Sequence, residues 1–331
     1  MTDGFNCGIL GTGSFVPPNI ITNEDLEKMV DTSDEWIVSR TGIKERRVVD
    51  KNVATSDIAA IAAQRAIKDA GIDAKDLDLI IVATVTPDMS FPSTACLLQD
   101  RLGAVNAAAF DLEAACSGFL YGIITAKQFI ITGTYKNILV IGAECLSKII
   151  NWKDRNTCVL FGDGAGAAVL GRVEEGYGIL SNCLGADGAG GQFLSLKAGG
   201  SRLPASVETV EQGLHYVSMK GNEVFKFAVK IMASAAEEAV NKAGLTADDI
   251  DYLVPHQANI RIIDAARKRL KLDENKVYVN LDRYGNMSSA SIPVALDEAV
   301  HSGKIKKGHN IVMVGFGGGL TWGSCLMKWG K

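Results

Sequence analysis

The chain has 331 residues, a formal charge of −4, 47% hydrophobic and 22% charged residues. This balance excludes a disordered chain, a collagen-like rod and a long coiled coil, and leaves room for two domains or one large duplicated unit. A slightly acidic chain gives no reason to expect nucleic acid or an anionic membrane as partner, and no apolar run reaches the ~18 residues of a membrane span.

Near the start, the first basic residue is Lys28, so the positive region of a secretory signal is not seen and a cytoplasmic location is expected. The next segment with clear periodicity is IAAIAAQRAIKDA, where Thr55 or Ser56 is placed to cap a helix and Gly71 to end it. LDLIIVATV follows, a β-branched apolar run suited to a strand buried on both faces. Ser93 or Thr94 is placed to cap a further helix after Phe91. AAAFDL reads as another strand. Residues 117–132, SGFLYGIITAKQFIIT, carry Lys127 as their only charge and read as a helix buried all round. NILVIGA reads as a strand. FGDGAGAAVLG at 161–171 imitates a dinucleotide fingerprint, but only four residues separate its glycines from Gly171, too few for the required helix. It reads instead as a glycine-bearing strand or turn.

The second part repeats this grammar. VFKFAVKIMASAAEEAVNKA reads as a helix ended by Gly244, IDYLV as a strand, VYVNL as a strand, SSASIPVALDEAV as a helix with serine caps, and NIVMV as a strand. AGIDAKDLD at 70–78 matches AGLTADDID at 243–251 in five of nine positions, an offset of 173. NILVIG at 137 and NIVMVG at 310 repeat that offset, and GIL at 8 recurs at 178. Two homologous α/β halves, 1–172 and 173–331, are therefore expected.

Three residues stand where such a fold puts chemistry, at the carboxyl ends of strands. Cys116 lies at a strand-to-helix turn, where a helix dipole draws a thiol pKa from ~8.5 towards ~7. The other six cysteines (7, 96, 145, 158, 183 and 325) form no CxxC pair, and the four histidines form no HExxH, so reduced thiols are expected and neither a metal site nor a disulfide framework is. His256 follows the strand IDYLVP. Asn286 sits in RYGNMSSASIP at a junction like that of Cys116. GFGGGLTWG at 315–323 offers backbone N–H groups to a substrate oxygen, or a tight turn.

Taken together, TSDEWIVSRTGIKER at 32–46, ACSGF at 115–119, FGDGAGAAVL at 161–170, GNEVFKFAV at 221–229, PHQAN at 255–259, YGNMSSASIP at 284–293 and FGGGLTWG at 316–323 resemble the thiolase-like condensing enzymes, and within them the β-ketoacyl-acyl-carrier-protein synthase III family. The resemblance implies a five-layered αβαβα fold, a homodimer and an acyltransferase that starts type II fatty acid synthesis. In that reaction a short acyl-CoA acylates the cysteine, which then condenses with malonyl-acyl-carrier protein. It implies a triad of Cys116, His256 and Asn286 and an oxyanion hole from the N–H groups of Cys116 and Gly318. It implies coenzyme A contacts at Trp36, Arg40, Thr41, Arg155, Gly221 and Asn259, an acyl pocket bounded by Phe161 and by Phe91 from the partner subunit, and a carrier-docking arginine at Arg261; Lys268, seven residues on along the same helix face, and Arg269 beside it extend that basic patch towards an acidic carrier. No metal or redox cofactor is called for, acyl-CoA being a substrate. Phe91 points to acetyl or propionyl starters. Three rivals are a related synthase of secondary metabolism with another acceptor, a papain-like protease, which would carry a CGSCW-type motif, and a non-catalytic dimer partner, which would lack the nucleophile.

Overall fold

The computed structural model describes residues 5–331. One sheet is built from β1 (Phe5–Phe15), β2 (Leu79–Ala83), β3 (Ala108–Leu112), β4 (Ile138–Glu144) and β5 (Gly164–Glu174), in the order β1-β5-β4-β2-β3. A second sheet uses β6 (Gly178–Ala186), β7 (Tyr252–Pro255), β8 (Asn310–Gly317) and β9 (Thr321–Lys328), in the order β6-β9-β8-β7. The two sheets share one pairing scheme: β2 runs parallel to β4 and β7 parallel to β8, while β4 pairs antiparallel with β5 and β8 with β9.

The central strands β2, β4, β7 and β8 are buried on both faces, which is why they read as continuous apolar runs. Alternate residues serve different layers. On the outer face of the first sheet, Ile80, Val82, Leu139 and Ile141 pack against Ile58, Ala59, Ala62 and Ala66 of helix α1 (Thr55–Ala70) and Leu98 of α2 (Thr94–Arg101). On the inner face, Leu79, Ile81, Ile138 and Val140 pack against Phe119, Leu120 and Ile123 of α3 (Gly118–Ile131). That same cluster holds Val254, Ile311 and Met313 of the second sheet, so α3 is enclosed between the sheets as its composition requires. α4 (Gly221–Lys242) and α5 (Ile260–Arg269) cover the far face through Ala228, Met232, Ala236, Ile262 and Ala266, and α6 (Ser291–His301) joins α3 in the middle layer. The result is five layers, αβαβα.

Several local expectations shift. Thr55 and Ser56 do not cap α1: the N-cap is Ala54, whose N–H donates to Asp57, while the Ser56 N–H and hydroxyl both donate to Asp88. Ser93 does cap α2, accepting from the Cys96 N–H. Gly71 ends α1 in the left-handed conformation. VYVNL is no strand; it contributes a single bridge, Val277 to Leu253, before a short helix at Leu281–Tyr284. The Gln257 side chain explains this, because it donates to the Pro255 and Tyr278 carbonyls and accepts from the Asn280 N–H, standing in for a neighbouring strand. α6 starts without a side-chain cap, and Ser291 instead accepts from the Met287 N–H. The expected boundary at 172 falls inside β5, which runs on to Glu174, three residues short of β6. No helix among the described residues is long and apolar enough to cross a membrane.

Gly142 shows how closely the layers approach. A Cβ there would lie 2.2 Å from the Ser289 carbonyl oxygen. Gly142→Ala is therefore expected to destabilise the fold by about 1–3 kcal/mol, measurable as a lower urea midpoint. An unchanged midpoint would show that the 288–290 turn yields freely.

Candidate active site

The turn that carries Cys116 is a 3-10 segment, Ala115–Ser117, leading straight into α3. Ala115 sits at φ +44, a left-handed conformation that non-glycine residues seldom adopt. Two features over-determine it. Ser117 Oγ donates to Thr321 Oγ1 at 2.7 Å, which in turn donates to the Ala114 carbonyl at 2.9 Å. The glycine segment after β8 then lies directly on the turn: a Cβ on Gly317 would stand 2.5 Å from the Cys116 nitrogen. Glycine is required there because backbone meets backbone.

Cys116 lies at the wall of a cavity of about 620 Å³, lined also by Leu112, Leu146, Phe161, Leu194, Ser288 and Gly318. Among the described residues it is the only cysteine that lines it. The expected lowering of the thiol pKa is not met. Burial pushes Cys116 up to about 12, and the carboxylates Glu144 and Glu113 add to the rise. The helix dipole is in place, but it is outweighed by desolvation where no cation stands nearby.

His256 follows β7 and is 1% exposed. Its backbone is held by the Val314 carbonyl, and its ring stands edge-on to Phe316 at 5.7 Å. Neither ring nitrogen has a hydrogen-bond partner. Burial lowers its pKa to about 3, so the imidazole is neutral and carries one N–H. Gly315 brings it to the nucleophile turn, since a Cβ there would lie 3.4 Å from His256 Cβ and 3.6 Å from the Cys116 carbonyl oxygen. Asn286 is held by a bridge to the cavity residue Phe161 and by its N–H to Leu160. Its Oδ1 accepts from the Ser288 N–H at 2.8 Å, which leaves Nδ2 as the free end of the amide.

Further out, Trp36 lies under two guanidinium groups, with Arg155 4.4 Å and Arg40 5.6 Å from the ring centroid. Arg155 also donates to the Asp31 carbonyl at 2.6 Å. Thr41 is buried and its hydroxyl is committed to the Ile37 carbonyl and the Ile43 N–H, so it offers no free polar atom. Asn259 caps α5 through Oδ1 and donates from Nδ2 to the Arg40 carbonyl, tying the two segments together. Gly221 is the exposed first residue of α4. Phe91 does not line the cavity of its own chain and is 85% exposed. On α5, Arg261 lies over the Phe225 ring at 5.0 Å, Lys268 is exposed, and Arg269 is paired with Glu237 at 2.9 Å.

Two residues at the site escape a motif-based reading. Ser288 lines the cavity at φ +46 with its hydroxyl buried and unpartnered. Glu144, at the end of β4, is fully buried and accepts from Thr84, Thr86, the Val85 N–H and Ser289. A carboxylate closing the apolar run NILVIGAE was the signal available for it.

The depressed His256 pKa links to stability. Because its folded pKa lies below the unfolded value, the stability it contributes is lost as pH falls below about 6.5. From about pH 7.5 to about pH 5.5, that loss amounts to about 1 kcal/mol. Urea unfolding at both pH values is expected to show this difference shrinking in His256→Gln. An equal drop in both proteins would place the histidine in a more open setting.

Comparison with known proteins identifies the family. Residues 110–188 match the family model described as 3-Oxoacyl-[acyl-carrier-protein (ACP)] synthase III, and residues 240–329 match that of its C-terminal part. A beta-ketoacyl-[acyl-carrier-protein] synthase III of Caldanaerobacter subterraneus subsp. tengcongensis is 66% identical, with 100% of both chains covered. The crystal structure of the Thermus thermophilus synthase III is 51% identical with a TM-score of 0.92, covering 98% of this chain and 99% of that one. The priming β-ketosynthase of the R1128 polyketide biosynthetic pathway also superposes with a TM-score of 0.92, at 35% identity over 100% of this chain and 98% of its own. The fold is thus thiolase-like, and the chain belongs to the 3-oxoacyl-[acyl-carrier-protein] synthase III family of condensing acyltransferases.

Proposed function

We propose that the chain is the initiating condensing enzyme of type II fatty acid synthesis, with Cys116 as its nucleophile. The observation that carries this is Cys116 on the wall of a largely apolar cavity, at a turn backed by a glycine segment. A thioester exchanges its acyl group with a thiol at little cost in bond energy, so acyl-CoA plus Cys116 gives acyl-Cys116 plus free coenzyme A. The N–H groups of Cys116 and Gly318 would hold the tetrahedral oxyanion, and losing one such donor typically costs ~10²–10³ in rate.

The second half-reaction uses malonyl-acyl-carrier protein. Loss of CO₂ leaves an enolate whose oxygen takes two donors, the N–H of neutral His256 and Nδ2 of Asn286. Its carbon attacks the acyl-Cys116 carbonyl, releasing 3-ketoacyl-carrier protein and the thiol. The chemistry is carried by side chains and backbone, with acyl-CoA as substrate. In this reading Trp36, Arg40 and Arg155 face the adenine end of coenzyme A, and Gly221, Thr41 and Asn259 shape the path behind it. A base seated between Trp36 and Arg155 must first swing Arg155 off the ring, breaking its bond to the Asp31 carbonyl.

The exposed Phe91 supports a homodimer in which this ring closes the partner's acyl pocket opposite Phe161, and with it a preference for acetyl or propionyl starters. Arg261 and Lys268, seven apart on α5, form the surface for the acidic carrier, with a smaller share from Arg269. We place the protein in the cytoplasm and treat its two halves as copies of one unit. A synthase of secondary metabolism ranks second: its representative here is 35% identical, against 66% for the fatty-acid-type relative over the whole chain.

Three outcomes test this. Cys116→Ser is expected to show no acyl adduct by intact-protein mass spectrometry with acetyl-CoA, and condensation should fall below detection. Asn286→Ala should still form the adduct but lose malonyl decarboxylation; failure of the adduct there would misplace the enolate site. Phe91→Thr should move the optimum in an acyl-CoA panel to longer chains, and decanoyl-CoA outperforming acetyl-CoA in the unaltered protein would sink the short-starter assignment.

A further inference from the structure

The nucleophile as described lacks an acceptor for its proton. Cys116 is buried, and neither ring nitrogen of the neutral His256 has a hydrogen-bond partner, so no bond links it to the thiol. A hydroxyl on the cavity wall, Ser288, and a buried acid behind it, Glu144, are used by no step of the reaction. Glu144 is 0% exposed. Among the described residues no lysine or arginine pairs with it, and four donors hold it: the Thr84, Thr86 and Ser289 hydroxyls and the Val85 N–H. Ser288 stands between this carboxylate and the thiol. Its hydroxyl lies close enough to ease the ionisation of both, yet it is buried and no partner stands at full hydrogen-bond distance and angle. A buried hydroxyl without a partner is costly, and at φ +46 the serine also occupies a strained backbone position. Both costs fall on one residue beside the reacting sulfur.

Two acids buried close together without a cation cannot both ionise, so at most one of them carries a charge. We propose that the Ser288 hydroxyl relays the Cys116 proton to the Glu144 carboxylate and later returns it to the departing coenzyme A thiolate. The step balances. The thiol S–H gives its proton to Ser288 Oγ as the Ser288 proton passes to a Glu144 oxygen, leaving thiolate and a neutral acid. The thiolate pair forms the new C–S bond and the old C–S bond leaves with its pair on coenzyme A sulfur. The same hydroxyl then carries the proton back, so Glu144 ends as carboxylate. Ser288 touches the reacting atom; Glu144 acts through it as a proton store. This rests on Cys116 being the nucleophile.

The test is the pH profile of Cys116 alkylation by iodoacetamide, mapped by peptide mass spectrometry, in the wild-type protein, Ser288→Gly, Ser288→Ala and Glu144→Gln. The charged groups facing the thiol are Glu144 and Glu113, with neutral His256 near them. Glycine tolerates φ +46 and Ser288 Oγ makes no protein bond, so Ser288→Gly keeps the fold, checked by its melting curve. The relay predicts that alkylation near neutral pH slows by about tenfold in the Ser288 variants and in Glu144→Gln, one unit in apparent thiol pKa. Charge repulsion alone predicts the opposite for Glu144→Gln, because removing a negative neighbour eases ionisation. Faster or unchanged alkylation in folded Glu144→Gln, or an unchanged rate in Ser288→Gly, overturns the relay. Should iodoacetamide mark another cysteine and spare Cys116, the nucleophile assignment falls with it.

Discussion

The backbone of Gly317 rests on the nitrogen of Cys116, and the rest of the architecture serves that contact. It joins the end of β8 in one sheet to the start of α3, which belongs to the other. For the two to meet, both sheets must present their carboxyl ends to one cleft, and α3 must be thin and apolar enough to lie between them. Phe119, Leu120 and Ile123 satisfy the second demand. The Ser117–Thr321 hydroxyl pair fixes the last degree of freedom, the rotation of the turn against the glycine segment.

The offset of 173 residues seen in the sequence recurs in the site. Ala115 and Ser288, the two left-handed non-glycine residues of the helix-start turns, are separated by it. So are Glu144 and Gly317, at the ends of β4 and β8. One frame thus carries two outcomes. Where the strand ends in glycine, it leaves a backbone surface against Cys116. Where it ends in glutamate, the carboxylate fills the space and gathers Thr84, Thr86 and Ser289 around it. The two turns face each other, which is how Ser288 of the second half comes to stand near the thiol and the carboxylate of the first.

Much of this was readable in the residues. The buried strands, the enclosed helix and the positions of Cys116 and His256 after strands follow from composition and spacing, whereas Asn286 follows a short helix where a strand was expected. Other features depend on contacts that span the chain. The thiol was expected to be acidified by the helix, but the sign of its shift is set by how completely other segments desolvate it. VYVNL has a strand's composition, and only the side chain of Gln257 at its edge denies it a ladder. Thr41 and Asn259 carry polar groups that the fold uses internally. Ser288 was visible only as one of three serines before a helix; its left-handed backbone and stranded hydroxyl are properties of the packed turn.

The interior position of β9 also orders events in time. The five strands of the first sheet are complete by residue 174, while nearly half the chain is still unmade. β9 is the last strand translated, yet it lies between β8 and β6, and Thr321 at its start holds the Cys116 turn. A ribosome therefore delivers the nucleophile long before the segment that locks it. During vectorial synthesis the thiol waits in an unclasped turn, and closure of the second sheet, a late and non-local event, is the step that turns a folded half into a working site.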